Sequence, residues 1–253
     1  MPETVPAVTR PAVTGPAVTG PAVTGRAVLG ADACPAGWVG IVLSNDSVHA
    51  IVRPDIAALV SAAMAEGMLA AIGIDIPIGL ADASMRQADI QARKAAGPRW
   101  ASVFATPVRR ALMEPDYRRA SGLNRRLTGN GISRQAFGLR AKILDVDRWL
   151  PGAPCPVAEV HPELSFALMS GDQPLADSKT TWAGAARRRE LLAAHGIELA
   201  GDLGLSGLRT GVDDVLDAAA VAWTARRIAA GQARRLPETP ERFSDGIDCA
   251  IWT

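Results

Sequence analysis

The chain has 253 residues, a formal charge of +1, 48% hydrophobic residues and 21% charged ones. That balance suits a globular protein with a full core and excludes a disordered polyelectrolyte. No run approaches the roughly eighteen apolar residues of a membrane span, and the start lacks a basic segment followed by an apolar stretch and cleavage site. The expectation is a cytoplasmic protein with no membrane partner.

After MPETV, residues 6–25 are a tandem pentapeptide, PAVTR from Pro6 to Arg10 and then PAVTG three times, ending at Gly25. Proline at every fifth position denies a helix its hydrogen bonds, and so short a repeat cannot bury a face, so residues 1–25 are expected to be a disordered tail. One folded domain is expected over 26–253. It opens with AVLGAD, GWVGIVLS and SVHAIVR, three apolar runs split by Pro35-Ala36-Gly37 and Asn45-Asp46, a pattern that predicts an antiparallel meander of strands. Apolar residues at helical spacing from Asp55 to Glu66, stopped by Gly67, predict a crossover helix. AAIGIDIPIGL then predicts a buried strand leading into a loop at Asp75.

Residues 84–150 form a basic insertion in which fourteen cations outnumber five anions. A stretch of this kind can track phosphates or be a solvated arginine-rich surface. Within it, helices are predicted from Met85 to Ala96 and from Ser133 to Leu150, with irregular chain between. A short fifth strand is predicted from Pro156 to Val160. Two helices follow, Trp182 to His195 and Asp213 to Ala230, each stopped by a glycine. Cys34, Cys155 and Cys249 are odd in number, far apart and without a CxxC pair, which argues against structural zinc or a disulfide framework. They are expected to be small core residues.

Asp32, Asp75 and Glu159 each fall at or near the C-terminal end of a predicted strand, where open α/β sheets place their ligand crevice. Asp214 and Asp217, three apart, share one face of the late helix, with Asp213 placed as its N-cap. Clustered carboxylates repel one another, and a protein that gathers them commonly holds divalent cations, Mg²⁺ or Mn²⁺ for an all-oxygen set. A turn role for Asp32 and a first-turn role for Asp214 and Asp217 are the structural alternatives. Asp75, flanked by Ile72, Ile74, Ile76 and Ile78, is the hardest to place without a partner or a metal. His161 is a candidate second metal or substrate contact and Glu163 a candidate base. Glu159 ranks above Glu163, which follows Pro162 and is placed to start a helix. Ser133, Gln135, Lys179 and Arg109 are candidate phosphate contacts, with capping for Ser133 and solvent exposure for Lys179 as simpler accounts.

GADACPAGWVG, IGIDIPIGL, SVFATPVR, GNGISRQAF, AEVHPELSF and DDVLDAAAVAWTA, in that order, resemble the domain of unknown function 429 family, described as predicted nucleases with an RNase H fold. The resemblance runs from about Val28 to Trp252. It implies an RNase H-like mixed five-stranded sheet with flanking helices and inserted loops, and an acidic centre at Asp32, Asp75, Glu159, Asp214 and Asp217. The last two look like the D-x-x-D helix of bacterial Holliday junction resolvases. Ala33 and Ala36 stand where the family commonly has glycine. The function implied is metal-dependent phosphodiester hydrolysis of DNA or RNA at a two-metal site. The alternative is a non-catalytic RNase H-like module that binds nucleic acid or a protein, a reading suited to the modest net charge and few aromatics. Either state of assembly, monomer or dimer, is compatible with this sequence.

Overall fold

The computed structural model describes residues 26–45 and 47–253; the PAVTG repeats, and the expectation of a disordered tail, lie outside the described residues. β1 (Ala27–Cys34), β2 (Gly37–Leu43) and β3 (Val48–Arg53) form the expected antiparallel meander. Gly37, at φ 130°, makes the turn between the first two, and a Cβ there would meet the Arg53 carbonyl oxygen at 2.3 Å. The crossover helix α1 (Ile56–Ala65) starts at Asp55, whose side chain accepts from the Ala58 amide. It returns the chain to β4 (Leu69–Ile74), parallel to β1.

The sheet has seven strands, in the order β3-β2-β1-β4-β5-β7-β6, rather than the five expected. β5 (Val157–Val160) is the predicted fifth strand. The two additions are β6 (Arg235–Arg242) and β7 (Asp248–Trp252) at the C-terminus. β6 reads RLPETPER, and its two prolines argue against a central strand. It is an edge strand, where a missing amide is tolerated. Four strands, β1, β4, β5 and β7, run parallel, so their C-terminal ends share one rim.

The basic insertion is mostly helical: α2 (Gln87–Ala95), a 3-10 turn over Gly97–Ser102, α3 (Arg109–Leu112), α4 (Tyr117–Thr128), α5 (Arg134–Gly138) and α6 (Arg140–Trp149). The helix predicted over 133–150 is thus divided at Leu139. α7 (Pro162–Met169) follows β5, and α8 (Trp182–Ala194) and α9 (Val212–Ala229) complete the chain's helices among the described residues. One core lies between the sheet and α7, α8 and α9; a second lies on the other face with α1 and α6. Asp145 of α6 ties that second layer together, accepting from the Trp38 indole and the Ile56 amide. Cys34 and Cys249 are buried, Cys155 is half-buried, and all three are free thiols. No helix among the described residues is long and apolar enough to cross a membrane.

α9 sits unusually close to the sheet because both surfaces are shaved down. A Cβ at Gly30 would fall 2.0 Å from the Ala222 amide nitrogen, and one at Gly73 would fall 2.8 Å from Val221. Ala218, Ala219, Ala220 and Ala222 supply the matching small residues on the helix. This close seat brings the first turns of α9 to the rim where β1 and β4 end.

Candidate metal centre

In the parallel β1–β4 pair Ala31 is opposite Ile74, and the Asp75 amide donates to the Ala31 carbonyl at 2.9 Å. The next residue on each strand is therefore Asp32 and Asp75, and neighbours in register put their side chains on the same face of a sheet. That face is the one carrying α9. Asp217, at the buried side of that helix, completes the group: one oxygen from each of Asp32, Asp75 and Asp217 lies within 4.8 Å of the others. The Asp32 carboxylate also accepts from the Ala33 amide at 2.7 Å, so its turn role and its place in the cluster coexist.

Three carboxylates this close and this sheltered hold protons that exposed ones would release. Burial, then the charges of Asp75 and Asp217, keeps Asp32 well above the usual carboxylate range. Asp75 is pushed up to about 7 by burial, with Glu163 adding to the shift. Asp217 is pushed up to about 7 by burial, with Asp75 adding to it. Lys179 opposes the cluster: its ammonium bonds the Asp217 carboxylate and lies 3.7 Å from Asp213. Burial works to lower the Lys179 pKa, but Asp217, Asp32 and Asp75 outweigh it and hold the amine above the ordinary lysine range. The second Asp217 oxygen, Oδ1, is buried without a hydrogen-bond partner. An ionised buried oxygen with no donor is costly, and a cation at the cluster would satisfy it.

The remaining predicted residues separate. Glu159 is paired with Ile74, one residue before Asp75, and so leaves the opposite face of the sheet. There its Oε1 accepts from Arg86 at 2.7 Å, and its Oε2 accepts from Arg86 at 2.9 Å and from the Ile78 amide at 2.7 Å. Arg86, fully buried, also binds Asp89. Both Glu159 oxygens are thus engaged in a buried ion pair, outside the three-Asp cluster. Glu163 takes the opposite course. It does start α7, as its position after Pro162 predicts, yet its charge is felt by both Asp75 and Asp217. Arg188 holds its Oε1 at 2.7 Å, leaving Oε2 buried and unpartnered. Neither glutamate belongs to the three-aspartate cluster, and of the two only Glu163 keeps an unpartnered oxygen.

Asp214 caps α9, its Oδ2 accepting from the Gly211 amide at 2.9 Å; Gly211, not Asp213, is the N-cap residue. Ser133 caps α5 by accepting from the Ala136 amide. Arg109 is clasped by Asp147 at 2.5 Å and Asp245 at 2.8 Å, away from the cluster. Lys179, Gln135 and His161, with Asp214, Glu159 and Glu163, line a cavity of about 460 Å³ over the three aspartates. His161 is kept neutral by burial, which lowers its pKa. Its Nε2 lies 3.4 Å from the Ser102 carbonyl oxygen, an acceptor only, so Nε2 carries the proton and Nδ1 is left without a partner.

Four of the insertion's fourteen cations are engaged by hydrogen bonds within the fold, two of them in ion pairs. Arg86 and Arg109 make the pairs above, Arg99 donates to the Leu175 and Ala176 carbonyls, and Arg140 donates to that of Leu112. Arg86 and Arg188, the two buried cations that sort Glu159 from Glu163, escaped the sequence reading. The only sequence trace of the first is its i,i+3 spacing to Asp89.

Fold and site together define an α/β protein with a mixed sheet and, at the ends of its parallel strands, a cluster of aspartates that could hold a metal ion. The family model described as "Protein of unknown function (DUF429)" matches residues 30–242, and the chain belongs to that family. Neither a curated protein nor a solved structure matches it.

Proposed function

We propose that the protein is a metal-dependent phosphodiesterase of RNase H-like architecture that acts on nucleic acid. The observation that carries the reading is the convergence of Asp32, Asp75 and Asp217 at the strand ends, with an unpartnered buried oxygen on Asp217. This donor set is all oxygen and suits Mg²⁺ or Mn²⁺. When bound, such an ion supplies Lewis-acid polarisation of a phosphoryl oxygen and offsets the negative charge that builds up during displacement. Strand order β3-β2-β1-β4-β5, with β2 antiparallel to both its neighbours and β1, β4 and β5 parallel, supports the RNase H-like assignment.

The chain's own residues do the remaining work. The three aspartates would hold the cation, and they stay in place because β1, β4 and α9 cannot slide apart without opening the Gly30 and Gly73 contacts. Lys179 brings positive charge to the cavity and attracts a phosphate. Arg188 keeps Glu163 turned toward the cluster. Glu159 is left out of the ligand set, which therefore has fewer acids than a resolvase-like five-carboxylate centre. A second ion would draw on Glu163 or Asp214.

The test is hydrolysis of bis(p-nitrophenyl) phosphate and of oligonucleotides in Mn²⁺ or Mg²⁺. Wild type is expected to cut and Asp75→Asn to be inert while giving the same circular dichroism spectrum. Equal inertness of wild type and variant, or cutting that persists in chelator, refutes the reading. The Lys179–Asp217 pair favours a second reading, a metal-independent nucleic-acid binding module, because the lysine already places a cation at the cluster. Binding that survives chelation without any hydrolysis would support it.

A further inference from the structure

We propose that the mouth of this cavity grips single-stranded nucleic acid, with Trp100 and Trp182 as stacking platforms for unpaired bases. The inference rests on the phosphodiesterase reading and names the form of its substrate.

Trp182 is 89% exposed and Trp100 is 54% exposed. Single exposed apolar residues are ordinary on a protein surface, so position decides the matter. Trp100 lies between Arg99 and Ala101, both of which line the cavity, and Trp182 follows two residues after the lining residue Thr180. The two segments are joined. Arg99 donates from Nε to the Leu175 carbonyl at 2.8 Å and from Nη2 to that of Ala176, fastening the 3-10 turn to the loop that leads to Lys179 and Trp182. Trp182 is not needed to start its helix, since the Thr181 hydroxyl already caps α8 by accepting from the Gly184 amide at 3.1 Å. Neither indole is part of a core cluster. Two exposed indoles are thus carried by segments whose neighbouring residues line one crevice.

Cations accompany them. The Arg93 guanidinium lies 5.0 Å from the Trp100 ring centre, Lys94 is exposed in the same last turn of α2, and Lys179 stands inside the mouth. Aromatic faces interleaved with positive charge suit a strand whose bases are unstacked and whose phosphates are continuous. A duplex keeps its bases stacked inside and offers those rings nothing to stack against.

The experiment measures binding of fluorescein-labelled oligothymidylate and oligouridylate twelve-mers, and of a twelve-base-pair duplex, by anisotropy. It uses the full chain in the Asp75→Asn background so that no strand is cut. At least one single strand is expected to bind at least tenfold tighter than the duplex. Trp182→Ala and Trp100→Ala should each weaken that binding about tenfold, and Trp182→Phe should restore most of it. The two arms distinguish DNA from RNA. Duplex binding as tight as single-strand binding, no saturable single-strand binding, or alanine variants that bind like the parent would each overturn the proposal. Hydrolysis of bis(p-nitrophenyl) phosphate by the wild-type chain, which involves no base, reports separately on the phosphodiesterase reading.

Discussion

Asp75→Asn is the substitution for which the structure makes the most demanding prediction, because it should stabilise the metal-free protein while removing its metal response. The Asp75 carboxylate makes no hydrogen bond among the described residues and is pushed up to about 7 by burial. In the unfolded chain an aspartate titrates near 3.9. A raised folded pKa means that the folded state keeps a proton the unfolded chain has already released. Wild-type stability should therefore fall as pH rises from about 4 through about 7 and level off above that. Three units at about 1.4 kcal/mol each give about 4 kcal/mol as a ceiling. Asp75 is only partly buried and opens on the cavity, so we discount this to about 2 kcal/mol. An uncharged amide of the same shape avoids that cost. At pH 8 in chelator, Asp75→Asn should melt roughly 4–8 °C above wild type. Added Mn²⁺ should raise the wild-type melting temperature, since a ligand that binds only the folded state stabilises it by mass action, and should leave the variant unmoved. Scanning calorimetry at pH 5 and pH 8, with and without Mn²⁺, measures all four quantities. A metal-free variant less stable than wild type at pH 8 would show that the Asp75 charge is compensated, and the electrostatic argument would fail.

Two further substitutions test the sorting of the acids and the seat of α9. Glu159→Gln deprives buried Arg86 of one of its two carboxylates and should cost about 3 kcal/mol in denaturant melts, while Mn²⁺ affinity measured by calorimetry stays at the wild-type value; a large loss of metal affinity would return Glu159 to the ligand set. Gly30→Ala puts a Cβ 2.0 Å from the Ala222 amide nitrogen. It should therefore lift α9, costing at least about 3 kcal/mol and weakening Mn²⁺ binding, and a variant of wild-type stability would contradict the close packing described for this helix.

The meander, the crossover helix, the strand that leads into Asp75 and the late acidic helix were all legible in the sequence, because each has a clear period or a clear stop. Asp32 and Asp75 were legible as partners for the same reason: their strands end in recognisable turns. Glu159 was not, and the cause lies in β5. VAEV is four residues long and is buried or partly buried throughout, so no alternation of apolar and polar residues says which face each side chain takes. A shift of one position decides between metal ligand and ion-pair partner, and that information resides in Arg86, 73 residues away in the chain. β6 was hidden by its prolines. Lys179 was legible as a phosphate contact or a solvent-exposed lysine but not as the partner of Asp217, which only the fold brings to it.

The strand that closes one side of the sheet has a meaning for the protein's behaviour in a crowded solution. β6 pairs with β7 at Arg235 and Leu236 and again at Glu241 and Arg242, with a break in register between. Pro237 and Pro240 fall in that break, and Glu238, Glu241 and Arg242 place charge along it. Sheet edges invite strands from other molecules through their unpaired amides. Here two of those amides do not exist and charged side chains guard the rest, so the border is unsuited to templating a growing aggregate.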